Sequence, residues 1–347
     1  MLQSALQTTP FAQMPKSSKQ PARVRPRKPG KKENPRTVSI IGAGRMGTAL
    51  GLALKAAGFR IEVVVTKQSS HARRAAKAIG GGALGISAEQ LNHLEQPDLS
   101  RFTDSSLVLI ATPDDSITAV AGQLATIIKS SGAKKVAPGR RVALHTSGAL
   151  SAKALQPLRS AGLAVGSMHP LISISESRSG ARALGQAFFS LEGDLAAVRR
   201  AKSLVRDLGA QSFVIKSRYK SLYHAAAVMA SPHVVALFDM AQEMLGRCGV
   251  SPPRARQVLL PLMHSTIENL SRQNPEVALT GTFKRGDTAT ARKHIEALSA
   301  EKLFDTLQTY ILLGKKSLEL ARGAAPDSSR LEQLTLLLSR VPGRSRR

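Results

Sequence analysis

Val38-Ser39-Ile40-Ile41 runs without a break into Gly42-Ala43-Gly44-Arg45-Met46-Gly47, and this junction constrains the fold more than any other stretch of the chain. The first four residues suit a buried parallel strand. A helix is predicted over residues 46–57, with Ala49, Leu50, Ala53, Leu54 and Ala57 as its apolar stripe. Gly58 follows as a C-cap, and a second strand is predicted over 60–66. In such a βαβ unit Gly42 allows the tight turn, Gly44 lets a pyrophosphate approach the backbone, and Gly47 lets helix and strand pack closely. Arg45 and Met46 complete the turn at a helix N-terminus, whose free N–H groups attract anions. Placed between a strand and a helix, Gly-x-Gly-x-x-Gly specifies a dinucleotide site; without that context it would be only a glycine turn.

The alternation continues to about residue 215. Helices are expected over 70–79, 116–130 and 194–208. Strands are expected over 106–111, 141–145, 163–167, 188–192 and 212–215. This order predicts an α/β fold with a doubly wound, mostly parallel sheet over residues 36–216. From Ser217 the strands stop, and an all-α domain is predicted over 217–340. Its first helical stretch, 217–245, is nearly all apolar and interrupted by Pro232; further helices are expected at 253–273, 288–298, 301–321 and 329–339. A helix apolar on most of its faces has to be buried, so this domain is expected to meet a second subunit in a homodimer.

In a doubly wound sheet the ligand crosses the carboxyl ends of the strands. The end of the second strand reads Thr66-Lys67-Gln68-Ser69-Ser70, with Arg73 one turn later. No carboxylate is present to bind a ribose 2′-hydroxyl, whereas Thr66, Lys67, Ser69 and Arg73 suit a 2′-phosphate, so NADP(H) is the expected cofactor. The alternative is that Lys67 and Arg73 are solvated surface charges. Thr112 and Pro113 end another strand at the same rim. His145 and His169 also follow strands there and are candidates for acid or base chemistry near neutral pH. His145-Thr146-Ser147 reads equally as a polar turn that orients the cofactor, with Ser147 able to bond substrate or nicotinamide. His224 sits within the apolar helical run, where a satisfied core histidine is the commoner role. Lys284 and Arg285, in a loop before the N-cap Asp287, suit a small anionic substrate or the cofactor phosphates. No Cys/His cluster has metal-ligand spacing, so no metal is expected.

Fifty Lys and Arg stand against twenty-three Asp and Glu, a net charge of +27. Nine of the basic residues and one acid fall within residues 1–36, a Pro-rich stretch without periodicity that is expected to be a disordered basic arm. Nucleic acid is expected to bind only non-specifically, through that arm. The single cysteine, Cys248, excludes an intramolecular disulfide framework and fits a reducing compartment. No secretory leader and no charge-free apolar run of membrane-spanning length are apparent, so a soluble cytoplasmic protein is expected, with no membrane partner.

Several phrases occur together and in order: Ile41-Gly42-Ala43-Gly44-Arg45-Met46-Gly47, His145-Thr146-Ser147-Gly148-Ala149-Leu150, Gly166-Ser167-Met168-His169-Pro170-Leu171 and Tyr223-His224-Ala225-Ala226-Ala227-Val228. Leu279-Thr280-Gly281 and Arg285-Gly286-Asp287 complete the set. The combination, spanning roughly residues 36–320, resembles the bacterial family that joins a Rossmann-like domain to a C-terminal domain of unknown function 2520. The resemblance implies wider kinship with pyrroline-5-carboxylate reductase, ketopantoate reductase, 3-hydroxyisobutyrate dehydrogenase and 6-phosphogluconate dehydrogenase. Those enzymes pair a Rossmann domain with a helical, dimer-forming domain. In the hydroxyacid dehydrogenases among them a catalytic lysine lies on the first long helix after the sheet, the region of His224, so the resemblance implies an acid/base role for His224. The family usually has Asn where this chain has Pro232, and Pro where it has Thr282. An NADP-dependent oxidoreductase is the expectation, with a non-catalytic NADP-binding sensor or assembly protein as the alternative.

Overall fold

The computed structural model describes residues 36–131, 140–322 and 328–340. The basic arm expected over residues 1–35 lies outside them. Eight strands form one sheet: β1 (Thr37–Ile41), β2 (Arg60–Thr66), β3 (Leu84–Ser87), β4 (Leu107–Ile110), β5 (Val142–His145), β6 (Ala164–Leu171), β7 (Phe188–Gly193) and β8 (Gln211–Val214). Their order is β3-β2-β1-β4-β5-β6-β7-β8. Every described pairing is parallel except β6 with β7, which run antiparallel with His169 opposite Ser190. The chain changes direction across the sheet between β3 and β4, so β1 and β4 become neighbours and leave a crevice at their carboxyl ends.

Alternate strand residues divide between two cores. Val38, Ile40, Val64, Leu107 and Leu109 pack with α1 (Arg45–Ala56), α2 (Ser69–Ile79) and, further along, the helix Leu195–Asp207. Ile41, Val63, Val65, Val108 and Ile110 pack instead with α3 (Asp114–Ser130). Both faces of the central strands are therefore buried, which is why they read as continuous apolar runs and not as alternating ones. The edge strand β3 was not anticipated. Its Gly-Gly-Gly-Ala-Leu-Gly lead has low strand propensity, and Gly85 is kept free of a side chain by the Ala72 carbonyl of α2, 2.6 Å from where a Cβ would lie.

After β6 a short helix, α4 (Ser177–Ala183), packs against α1; α5 (Leu195–Asp207) then joins β7 to β8. The helical region comprises α6 (Lys220–Ala230), α7 (Pro232–Arg247), α8 (Pro252–Arg272), α9 (Thr288–Ala300), α10 (Phe304–Arg322) and α11 (Ser328–Ser339). The predicted interruption is present: α6 ends before Ser231, and Pro232 opens α7 at a position where its missing N–H costs nothing. The chain divides into two compact units, Met1–Ala227 and Val228–Arg347, so the first eight residues of α6 belong with the sheet.

The second unit has its own core, made by Ala291, Leu298, Leu307, Ile311, Leu318, Leu331, Leu334 and Leu338 of α9–α11. The burial expected of the apolar stretch is not met within this single chain. No residue of α7 is buried, and Val235 on α7 and Leu262 on α8 are 69% and 64% exposed. By length and composition, Ser217–Arg247 is the one segment among the described residues apolar enough to cross a membrane, and none of its most apolar window is buried.

Candidate functional site: a cleft at the carboxyl ends of the strands

The glycine-rich turn closes one end of an open cleft of about 1540 Å³ within the first unit. Gly42 has φ +93°, and a Cβ there would lie 2.6 Å from the Thr112 amide nitrogen. At Gly47 a Cβ would lie 2.3 Å from the Gly42 carbonyl oxygen. Those two glycines are thus required by the protein itself. Gly44 is different: a Cβ there would meet nothing within 4 Å. Its side faces the cleft, so the reason for a glycine lies with whatever approaches from outside. Gly44, Arg45 and Met46 all line the cleft at the start of α1, where unsatisfied N–H groups favour an anion. A strap between β6 and β7 borders the same region. Ser177 donates a hydrogen bond to the Arg45 carbonyl (3.0 Å), and Ile174, Glu176 and Arg178 line the cleft.

At the end of β2, Thr66 and Lys67 reach the cleft, joined by His71 and Arg74. Ser69 and Arg73 do not line it, and Ser69 instead donates to the Gln90 side chain (2.9 Å). Residues 71, 74, 75 and 78 form one face of α2, and Arg73 is turned about 100° away from Arg74. That spacing was available in the sequence; what was missing was the helix's rotation about its axis.

The far end of the cleft gathers polar groups from four elements. Thr112 and Pro113 follow β4, Ser147 and Gly148 follow β5, His169 belongs to β6 and His224 to α6. Ser147 is saturated by its own surroundings: its hydroxyl donates to Asp114 Oδ2 (2.7 Å) and accepts from the amides of Ala149 and Leu150. His145 is wholly buried and does not line the cleft. Its Nδ1 accepts from the Ser147 amide and its Nε2 faces the Ser151 carbonyl, so both ring nitrogens serve the turn. Burial lowers its pKa to about 4.

His169 and His224 meet edge to face, with ring centroids 5.5 Å apart. Both crowd Gly148, where a Cβ would lie 2.2 Å from His224 Nδ1 and 2.9 Å from His169 Nε2. His169 Nδ1 bonds the Tyr223 hydroxyl at 2.7 Å. Burial first, then the charges of Lys220, His224 and His145, hold His169 down at about 4, so it is neutral at physiological pH. Two buried polar atoms of cleft-lining residues have no hydrogen-bond partner among the described residues: Thr112 Oγ1 and His224 Nδ1. Leaving such atoms unpaired costs about 1–3 kcal/mol each, so a ligand that bonds them recovers that cost. A neutral imidazole beside two unmatched polar atoms can give or take one proton. Asp114 lies in a strand-end stretch and Tyr223 beside His224, both places where the sequence expects chemistry though without a role for either residue; Lys220 was not anticipated.

In the second unit Lys284 donates to the Glu276 carbonyl (2.9 Å), and Arg285 is exposed. Asp287 caps α9 as expected, accepting from the Thr290 amide at 3.0 Å. Among the described residues no group of three His, Cys, Asp or Glu side chains is placed to hold a metal ion.

The fold is similar to that of the Thermotoga maritima protein TM1727, at 24% identity and a TM-score of 0.61, covering 82% of this chain and 98% of that one. Bacteroides fragilis BF3122, provisionally assigned as an NADP oxidoreductase, matches with 19% identity and a TM-score of 0.62 over 81% and 97% of the two chains. A reductive aminase from Aspergillus terreus, in complex with NADPH and ethyl levulinate, matches with 15% identity and a TM-score of 0.55 over 86% and 98%. At these identities the likeness is one of fold. No curated protein matches the sequence. Two family models match side by side, a Rossmann-like domain over residues 23–170 and the domain of unknown function DUF2520 over 187–317. Residues 23–170 thus match the Rossmann-like model and residues 187–317 the DUF2520 model, the pairing to which the sequence motifs pointed.

Proposed function

We propose that the chain is a soluble, cytoplasmic NADP(H)-dependent oxidoreductase acting on a small, anionic carbonyl, imine or hydroxy compound. One observation carries the reading: a single cleft runs from a glycine turn whose Gly44 faces open space to a pair of converging histidines. Gly42, Gly44 and Gly47 with the α1 N-terminus would hold the diphosphate. Lys67, His71 and Arg74 would hold the 2′-phosphate, in place of the Ser69 and Arg73 expected from sequence. Thr112 and Pro113 would border the nicotinamide end. Bound there, the nicotinamide supplies or accepts a hydride. The residues around it then orient the substrate and move one proton: Thr112 Oγ1 and His224 Nδ1 gain their missing partners, and neutral His169 bonds the reacting oxygen or nitrogen. Similar structures named as imine reductase and reductive aminase, the latter with NADPH, agree with a C=N or C=O substrate.

The reading is tested by following NADPH oxidation with a panel of keto acids and cyclic and acyclic imines. Turnover with at least one is expected. Binding of NADPH without turnover on any would favour the non-catalytic sensor. With a substrate in hand, His224→Ala is expected to lower kcat by about 100-fold or more, the usual contribution of a positioned acid/base, with NADPH affinity within a fewfold. Unchanged kcat would remove His224 from the chemistry.

We further infer that a second copy of the chain covers the exposed apolar residues of α7 and α8. Burying a Val or Leu side chain contributes about 1.5–3 kcal/mol, and Val235, Val258, Leu262 and Ile267 all stand at least half exposed. Sedimentation equilibrium should give twice the chain mass in the absence of detergent. A monomer that floats with lipid vesicles would place these helices at a membrane instead.

A further inference from the structure

Lys220 opens α6, is 1% exposed, and its Nζ has no hydrogen-bond partner. Taking an ammonium out of water costs several kcal/mol, so a lysine in such a position is ordinarily paired or neutral. The titratable groups around it are Glu192 of β7, Asp114 at the start of α3, His145 of β5, His169 of β6 and Tyr223 of its own helix. Glu192 is fixed in place, since its carboxylate accepts from the Ala152 amide (2.7 Å) and from the Ser217 hydroxyl. It therefore supports the ammonium by charge without touching it. On the other side, Nζ lies 5.5 Å from the centroid of the Tyr223 ring.

The Tyr223–His169 hydrogen bond has two forms. Either the phenol donates to Nδ1 and the imidazole proton sits on Nε2, or Nδ1–H donates to the phenol oxygen and Nε2 is bare. A cation against the ring stabilises electron density on the phenol oxygen and opposes any further positive charge on His169. It therefore favours the first form. We propose that Lys220 is a positioning residue of this site: its buried ammonium, supported by Glu192 and set against the Tyr223 ring, makes Tyr223 the donor to His169 and leaves the imidazole proton on Nε2. That nitrogen faces the Gly148 turn beside His224, at the far end of the cleft. His169 then offers a hydrogen bond to an incoming oxygen or nitrogen and does not take a proton from it. The consequence for a reaction rests on the oxidoreductase reading; the tautomer does not. Burial, opposed by Glu192 and Asp114, brings the Lys220 ammonium down to about 8, so the bias weakens above that pH.

The experiment is long-range proton–nitrogen NMR of the histidine rings in the full-length protein, without cofactor. His169 in the unaltered chain should be neutral at pH 7 with its proton on Nε2. In Lys220→Met it should titrate about one unit higher and show a substantial Nδ1–H population, whereas Lys220→Arg should restore the original pattern. Because Lys220→Met leaves Glu192 without a counter-charge, Lys220→Met/Glu192→Gln is measured beside it, with circular dichroism to show that both are folded. A merely structural role would change the melting temperature and leave the tautomer alone. A folded variant with the pKa and tautomer of His169 unchanged overturns the proposal, as does an Nδ1–H tautomer in the unaltered chain. Absence of NADPH oxidation with every substrate would instead count against the oxidoreductase reading and leave this result standing.

Discussion

Gly47→Ala is expected to weaken NADPH binding by about 100-fold and to lower the melting temperature by several degrees. The added methyl group would stand 2.3 Å from the Gly42 carbonyl oxygen, 3.1 Å from its carbon and 3.3 Å from the Ala111 side chain. Two of these are backbone atoms in a turn already held by Gly42 N to Val65 O at 2.8 Å, so no side chain can rotate out of the way. The helix must move off the strand. Overpacking of this kind costs about 1–3 kcal/mol, and 2.7 kcal/mol of differential cost corresponds to about 100-fold in Kd. Gly44→Ala is the matched control. It meets no protein atom, so the melting temperature should hold while NADPH affinity falls. Fluorescence titration and thermal melts of both variants check the pair. Equal loss of stability in the two would mean that Gly44 is also a packing glycine.

Stability is expected to rise with pH in two separate windows. His145 and His169 are both pushed down from 6.5 to about 4, chiefly by burial. Between pH 4 and 6.5 the unfolded chain therefore binds protons that the folded chain refuses. The sign follows: their contribution is complete above pH 6.5 and is lost as pH falls toward 4. Each shift corresponds to roughly 3 kcal/mol at most, so the two together are on the order of several kcal/mol. Lys220, lowered from 10.5 to about 8, adds a second rise, between pH 8 and 10.5, by the same reasoning. Denaturant melts from pH 4.5 to 10 check this. Net charge of +27 also repels itself more strongly as carboxylates protonate, but that repulsion is screened at about 0.5 M salt while buried histidines are not. A slope below pH 6.5 that vanishes in salt would assign the effect to the surface and not to the histidines.

How far the site was legible varied with the reach of the interaction involved. The glycine turn was readable because its requirements are local: a strand, a positive φ at Gly42 and a close helix all lie within six residues of one another. Thr66 and Lys67 at the end of β2 were readable for the same reason. Arg73 and Arg74 could not be separated, because which face of α2 meets the cleft depends on how Ala72, Ala75 and Ala76 seat against the sheet. Ser147 and His145 looked like reactive groups in sequence. The structure gives each of them a full set of partners, His145 within the turn and Ser147 from the turn and from Asp114, which no spacing rule discloses. Gly148 passed unremarked, although two side chains from distant parts of the chain crowd the space beside it. The long apolar stretch was read as one helical run interrupted by Pro232, and the structure divides it there into α6 and α7; few of its residues are buried within the single chain.

Sequence alone determined the order of the longer strands and helices, apart from the edge strand β3 and the short helix α4, because periodicity, glycine and proline act over a few residues. It also located the glycine-rich turn proposed to hold the cofactor diphosphate, whose physics is that of one helix N-terminus and one strand end. Tertiary structure alone decided which polar groups line the far end of the cleft, His169 and His224 among them, and which stand behind those two. His169, Tyr223, His224, Glu192 and Lys220 come from β6, β7 and α6, and their meeting depends on the antiparallel turn from β6 to β7 and on where α6 packs. Side-chain pKa values follow from that meeting, since burial and neighbouring charge are properties of the assembled site and not of any residue in it.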